Sequence, residues 1–263
     1  MLYSFIHPGS GLGNQLHRIV AGKVLALDKG YKYSAIGREN FKGESFMDID
    51  FGPLPPKEWG YLIDPSGKII VDTHFDNTKE FEEKTNYYNP EFNFIEDNTI
   101  IDGEFQDERY FEHHMKEIHD WFYCALNGGI VLMADNICTI GFRGGEFYAV
   151  PELGLPKSYY DEAIAKMREV NPEMEFEVHT DDEILAKRFF PDFKVIHDIC
   201  INWTSIRASK YSIIANSSFY ILPRLLKHYR LAGAVTIAPR YWDRYNIKKW
   251  ERPYNYYSCF SYI

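Results

Sequence analysis

Asn136-Ile137-Cys138-Thr139-Ile140-Gly141-Phe142-Arg143-Gly144-Gly145 is an apolar run of strand length that stops at an arginine and two glycines. A run this short and continuous suits a strand buried on both faces, as in a parallel sheet. Downstream, strand-like and helix-like runs alternate. Residues 158–170 space Tyr159, Ala163, Ile164 and Met167 as a helix does. Residues 176–179 and 193–197 predict strands, with a helix over 182–190 between them and Asp181 or Asp182 available as its cap. Residues 203–209 predict a helical turn or two, 211–215 a strand, 218–229 a helix and 234–238 a strand. This alternation gives a parallel sheet covered on both faces, which binds ligands beyond the carboxyl ends of its strands.

The amino-side half begins in the same way. Residues 2–7 predict a strand, 9–13 a turn and 33–36 a second strand. Between them, 14–29 predicts a helix with Leu16, Ile19, Val20, Val24 and Leu27 on one side. Residues 73–98 are polar and aromatic with little periodicity, as in an elaborated loop, and 107–126 predicts a helix leading into the second half. Two α/β domains follow, 1–125 and 126–263.

At 263 residues and 45% hydrophobic composition the chain can bury a sizeable core. Its net charge of −9 argues against a general nucleic-acid binder, which needs a basic footprint. The charge is unevenly placed. Residues 1–125 hold 12 Lys and Arg against 22 Asp and Glu, whereas 126–263 hold 17 against 16, so an anionic ligand is better received in the second half. Aromatic residues make up 17%, a composition suited to stacking on sugars as well as to cores. No apolar run approaches the roughly 18–20 residues that span a bilayer. The first residues lack the basic start of a signal peptide, and the four cysteines are far apart, which predicts reduced thiols in a cytoplasmic protein.

Four motifs carry candidate chemistry. Gly9-Ser10-Gly11-Leu12-Gly13-Asn14-Gln15 lies between strand and helix, where free N–H groups meet anions and the two amides suit sugar hydroxyls. Its spacing is GxGxG rather than the dinucleotide GxGxxG, although Glu39 follows the next strand as a ribose-binding acid does. Arg143 stands at a strand end among glycines, placed to fork onto a phosphate, with Glu146 three residues on to orient it or take a proton. Asn216-Ser217-Ser218-Phe219 again joins strand to helix; it reads either as a phosphate cradle or as ordinary N-capping. His179-Thr180-Asp181-Asp182 lies at a strand end with acids for a base or ribose edge, or for a cap.

Six segments in order resemble the bacterial α1,2-fucosyltransferases and, more distantly, the α1,6- and protein O-fucosyltransferases. Gly11-Leu12-Gly13-Asn14-Gln15 is similar to their GGLGNQ, and Gly103-Glu104-Phe105-Gln106 with Arg109-Tyr110-Phe111 to their G-Y-(W/F)-Q…(K/R)-Y-F. Gly141 to Phe147 lies without gaps on H-x-R-R-G-D-Y, and Thr180-Asp181-Asp182 on S/T-D-D. Ile213 to Phe219 matches I-I-A-N-S-S-F, and Ile237-Ala238-Pro239 resembles the family's closing strand. Gly141 stands where the family has a guanine-recognising His, Gly144 where it has a second Arg, and Tyr220-Ile221-Leu222 where tryptophans usually follow.

The resemblance implies a GT-B-like fold, two Rossmann-like domains facing a cleft. It implies an inverting, metal-independent glycosyltransferase moving fucose from GDP-fucose onto a glycan hydroxyl. The 1–125 domain would take the acceptor and the 126–263 domain the nucleotide sugar. Arg143 would hold the diphosphate, Ser217 and Ser218 contact phosphate, and Asp181 or Asp182 read the base. Asn14 would lie near sugar and acceptor, with Gly11, Gly13, Gln15, Asn216 and Phe219 completing the donor site. No metal and no other cofactor is implied.

Other classes remain open on the residues. Asp48-Ile49-Asp50 reads as the DxD of a metal-dependent transferase, though it sits far from the phosphate features in sequence. A nicotinamide-dependent oxidoreductase would use the first glycine turn, and a non-catalytic protein would bind a nucleotide or sugar alone. Glu152, His7 and His17 are further candidates for a base. His113-His114 and His119 are poorly spaced as metal ligands on one helix and read as a solvated face.

Overall fold

The computed structural model describes residues 1–53, 88–122, 133–150, 152–242 and 256–263, and the backbone alone of short strands at 62–63, 69–70, 243–245 and 249–251. The chain divides into two compact units, Met1–Tyr123 and Cys124–Ile263.

The first unit runs β1 (Leu2–Phe5), α1 (Leu12–Lys29), β2 (Tyr33–Ile36), β3 (Leu62–Ile63), β4 (Ile69–Ile70), β5 (Ile100–Ile101) and α2 (Met115–Trp121). Its main sheet has the order β2-β1-β5, all parallel. Leu16, Ile19, Val20 and Val24 of α1 are fully buried. Leu27, expected on the same face, is 48% exposed. An 18-residue helix is about 27 Å long, twice the reach of a four-residue strand, so its last turn outruns the strands.

The single helix expected over 107–126 is instead two 3₁₀ turns, Glu108–Tyr110 and Glu112–His114, followed by α2. Asp107 Oδ1 accepts from the Arg109 N–H and starts a turn of its own, and Phe111 (φ −150°, ψ −8°) breaks the chain between the turns. Residues 123–126 lie outside the described residues, as do 73–87 of the expected loop region and Cys124. The described end of that loop forms a 3₁₀ turn, Pro90–Phe94, capped by Asn89.

The second unit runs β6 (Ile137–Phe142), α3 (Glu146–Ala149), α4 (Lys157–Val170), β7 (Glu175–Thr180), α5 (Glu183–Phe189) and β8 (Lys194–Ile196). It continues through α6 (Ile199–Ala208), β9 (Tyr211–Ile213), α7 (Ser218–Arg230), β10 (Val235–Ala238), β11 (Asp243–Tyr245), β12 (Lys249–Glu251) and β13 (Ser261–Tyr262). Six strands form one parallel sheet in the order β13-β10-β9-β6-β7-β8. Residues 138–142 of β6 are buried without alternation, so both faces of the sheet are covered there. α6 begins before residue 203, because the Asp198 carboxylate caps it by accepting from the Ile201 N–H at 2.8 Å.

Arg224 of α7 is fully buried and spends its donors on Thr236 Oγ1 (2.8 Å) and on the carbonyls of Ile206 (2.9 Å), Ser209 (2.7 Å) and Val235 (3.0 Å). It ties α7 to the end of α6 and to β10, and burial pushes its pKa down to about 10. Among the described residues Cys138, Cys200 and Cys259 are free thiols, and no helix is long and apolar enough to cross a membrane.

Candidate functional site

The order of the second sheet places the site. From β6 the chain adds β7 and β8 on one side, then crosses back to put β9 and β10 on the other. The direction of winding therefore reverses between β6 and β9. At such a switch point the loops leaving two adjacent strands diverge to opposite faces and leave a crevice at the carboxyl end of the sheet. Ile140 of β6 pairs with Ile213 of β9. Three residues beyond these partners lie Arg143 and Asn216, the latter followed by Ser217-Ser218, so the two motifs leave the sheet side by side.

Arg143 is held on three sides. Its Nη1 donates to Asp181 Oδ2, its Nη2 to Glu146 Oε1 at 2.7 Å, and its guanidinium stacks 5.0 Å from the centre of the Phe147 ring. The side chain stays 25% exposed. Two of its five N–H donors are engaged among the described residues, which leaves others for a ligand.

The adjacent acids brace the same loop. Asp181 Oδ1 accepts from the Gly144 N–H (2.7 Å) and Asp182 Oδ2 from the Gly145 N–H (3.1 Å). The other oxygen of Asp182 caps α5 through the Leu185 N–H (2.9 Å), which settles the choice of cap in its favour. These N–H bonds hold the Asp182 carboxyl below its usual range. Asp181 and Asp182, one or the other expected to read the base, thus both bond to the arginine loop.

Gly144 and Gly141 differ from the fucosyltransferase pattern for visible steric reasons. A Cβ at Gly144 would lie 2.4 Å from Asp182 Cβ, so no side chain fits while the loop is braced in this way. A Cβ at Gly141 would lie 2.9 Å from the ring of Tyr220, which is buried and donates to the His179 carbonyl at 3.3 Å. Tyr220 therefore fills the space beside position 141. The sequence signalled it only as the residue directly after the Asn-Ser-Ser-Phe motif.

Ser217 is the N-cap of the 13-residue α7, but its side chain makes no capping bond, and the first turn of α7 carries no acidic residue. The helix start therefore keeps the positive end of its dipole at the switch point, although the Ser217 N–H is bonded to the Ala215 carbonyl (2.8 Å) and the Tyr220 N–H to that of Ser217 (3.1 Å). Ser218 and Phe219 are half-buried at the same end. Asn216 is buried, and its amide donates to the carbonyls of Leu153 (2.9 Å) and Trp242, tying two loops rather than facing solvent.

The first unit repeats the arrangement on a smaller scale. β2 and β5 flank β1, so the winding reverses between β1 and β5. Asn14 follows β1, and Gln106 follows β5. Gln106 Nε2 donates to Asn14 Oδ1 (3.1 Å) and to Glu104 Oε2 (2.8 Å), which brings the two amino-side motifs together. Phe105 between them has φ of +47°, a costly conformation for a bulky residue, and is held there by Phe92 and Tyr110. Gln15 is fully buried and tied to backbone by the His7 carbonyl (3.3 Å), the Asn40 carbonyl (2.9 Å) and the Lys42 N–H (3.0 Å). Gly11 is the exposed N-cap of α1 with open space around it, and Gly13 is buried in the first turn.

The fold is a GT-B-like α/β fold. Over 86% of this chain and 92% of its own, the fucosyltransferase NodZ from Bradyrhizobium superposes with a TM-score of 0.52 at 16% identity. The E. coli heptosyltransferase WaaC with ADP gives 0.47 at 12% identity, over 91% and 87% of the two chains. A NodZ α1,6-fucosyltransferase soaked with GDP-fucose gives 0.44 at 15%, over 86% and 91%. No family model matches the chain, and a search of the curated proteins finds no match.

Of the remaining candidates, Asp50 and His17 are engaged with the backbone. Asp50 Oδ1 accepts from the Gly52 N–H (2.8 Å) and its carbonyl accepts from Lys23, so half of the DxD pair closes a loop. His17 is fully buried with Nδ1 on the Gly13 carbonyl (2.8 Å), and burial pushes its pKa down to about 4. His7 is partly exposed, with Nε2 3.9 Å from Asp102, and Glu152 is half-buried. Glu39 is exposed in the turn after β2.

Proposed function

We propose that the chain is an inverting glycosyltransferase that binds a nucleoside-diphosphate sugar, GDP-fucose by the motif resemblance, at the switch point of its second unit and transfers the sugar to a glycan hydroxyl without a metal. One observation carries this: an arginine fork and an uncapped helix start leave adjacent strands at the place where a doubly wound sheet receives ligands. The order of the six motifs supports it, as does a fold shared with a solved fucosyltransferase. Asn14 with Gln106 in the first unit would serve the acceptor. Gly11, Gly13 and Phe219 would shape the walls, with Gln15 and Asn216 fixing the loops behind them.

The leaving diphosphate gathers charge as the bond to the anomeric carbon lengthens. Arg143 and the positive end of the α7 dipole are fixed before the reaction and would meet that charge without reorganising. Two carboxylates bond the one guanidinium, so the diphosphate competes with Asp181 and Glu146 for its donors. Glu146 is 72% exposed and bonded to Arg143, a position suited to steering the fork. The same acid surplus favours a second reading, a nucleotide- or sugar-binding protein without transfer activity.

Calorimetry against GDP, UDP, ADP and NADH, with donor turnover measured in EDTA, tests the proposal. Expected are selective GDP binding and full turnover without divalent ion. Arg143→Ala lowers turnover by about 10²–10³-fold, and Arg143→Lys is also impaired because a point charge cannot fork. Near wild-type turnover of Arg143→Ala overturns the mechanism. GDP binding with no transfer selects the binding protein, and NADH binding the oxidoreductase. If Glu146 steers Arg143, Glu146→Gln keeps the pH–rate profile; if it is the acceptor's base, the acid limb disappears, and Glu152→Gln serves as the comparison.

A further inference from the structure

We propose that Asp28, His113 and His114 form a divalent-cation site of zinc type that fastens the end of α1 to the turn leading into α2. Asp28 stands in the last turn of α1. Its Oδ2 lies 2.9 Å from His113 Nε2 and its Oδ1 2.9 Å from His114 Nε2. One donor atom from each residue lies within 4.8 Å of the others. Neutral imidazoles and a carboxylate make a borderline-soft donor set that suits zinc, whereas magnesium demands oxygens. Ligand atoms around tetrahedral zinc stand about 3.3 Å apart, so the two 2.9 Å pairs would open slightly and the longest separation, at most 4.8 Å, would close by up to about 1.5 Å on ring rotation.

Two further observations point to a cation. Glu117 Oε2 lies 3.3 Å from His114 Nδ1. A carboxylate behind a ligating histidine is the usual outer shell of a zinc site, fixing tautomer and ring orientation. Second, Asp28 places negative charge at the negative end of the α1 dipole, an unfavourable position that a bound cation neutralises. Adjacent histidines look unsuited to share a metal when placed on one helix. Here they sit in a 3₁₀ turn, and both rings reach back to a third residue on α1.

The site lies within the first unit and uses no residue of the proposed transferase machinery, so the two proposals fail independently. The tag-free chain is stripped with EDTA and titrated with zinc chloride by calorimetry. Expected is one zinc site whose affinity falls at least tenfold in Asp28→Asn and in His114→Ala. The melting temperature rises by about 5 °C at a hundredfold excess over Kd, and magnesium has no effect. Zinc also shields His113 and His114 of the wild-type chain from diethylpyrocarbonate, read by mass spectrometry, while His7 still reacts; this measurement needs no variant to fold. Absence of zinc binding, equal affinity in the variants, or unshielded His113 and His114 overturns the proposal.

Discussion

Gly141 and Tyr220 compete for one volume. The Tyr220 ring lies where a Cβ at position 141 would point, and the ring is fixed by burial and by its bond to the His179 carbonyl. Gly141→Ala is therefore expected to cost about 1–3 kcal/mol by overpacking. Tyr220→Ala opens the space, and the pair should show a favourable coupling energy in a double-mutant cycle measured by urea unfolding. Simple additivity of the two changes would show that the ring does not occupy that space.

In the proposed function the helix α7 would act on a ligand through its start rather than through one side chain. Its first turn has no acid and its N-cap serine makes no capping bond, so its dipole is uncompensated at the switch point. Ser217→Asp separates stability from binding. An aspartate is as good an N-cap as serine and favours the dipole, but Ser217 is buried and a carboxylate there costs desolvation, so unfolding by urea should show at most a small loss of stability. The same carboxylate repels a diphosphate, and GDP affinity by calorimetry should fall by more than tenfold. Unchanged GDP affinity would place the phosphate elsewhere. In the first unit, α1 shows how length governs an element: its first four turns cover strands and bury their apolar side, while Leu27 lies past the strand ends and meets solvent.

Acid should weaken both units. His17 in the first unit and His179 in the second are fully buried, and burial holds each pKa down to about 4, from an ordinary 6.5. Between these values the unfolded chain binds the proton and the folded chain does not. Stability is thus full above pH 6.5 and is lost as pH falls through the window toward 4, by on the order of 2–3 kcal/mol for each histidine. Urea midpoints measured from pH 7.5 to pH 5 should fall, and His17→Gln should flatten the slope. A midpoint constant over that range would contradict the burial of both rings.

The strands and helices of the second unit are legible in the sequence because each buries a run or a stripe of matching period; 137–142 and 218–230 fall within a residue of the expected bounds. The sequence also determined which motifs lie at strand ends. It misjudged 107–114, where local capping by Asp107 overrode a helical pattern, and it missed the two-residue β5 and β13, which are too short to carry a period. Pairings between distant residues were decided by the tertiary structure alone. Strand order put Arg143 beside the start of α7. Packing sent Asp181 and Asp182 to the arginine loop and Gln106 to Asn14, and folding brought Asp28 to His113 and His114. Periodicity reports only which way a residue faces along its own element, whereas a site is assembled by contacts whose partners lie tens of residues away.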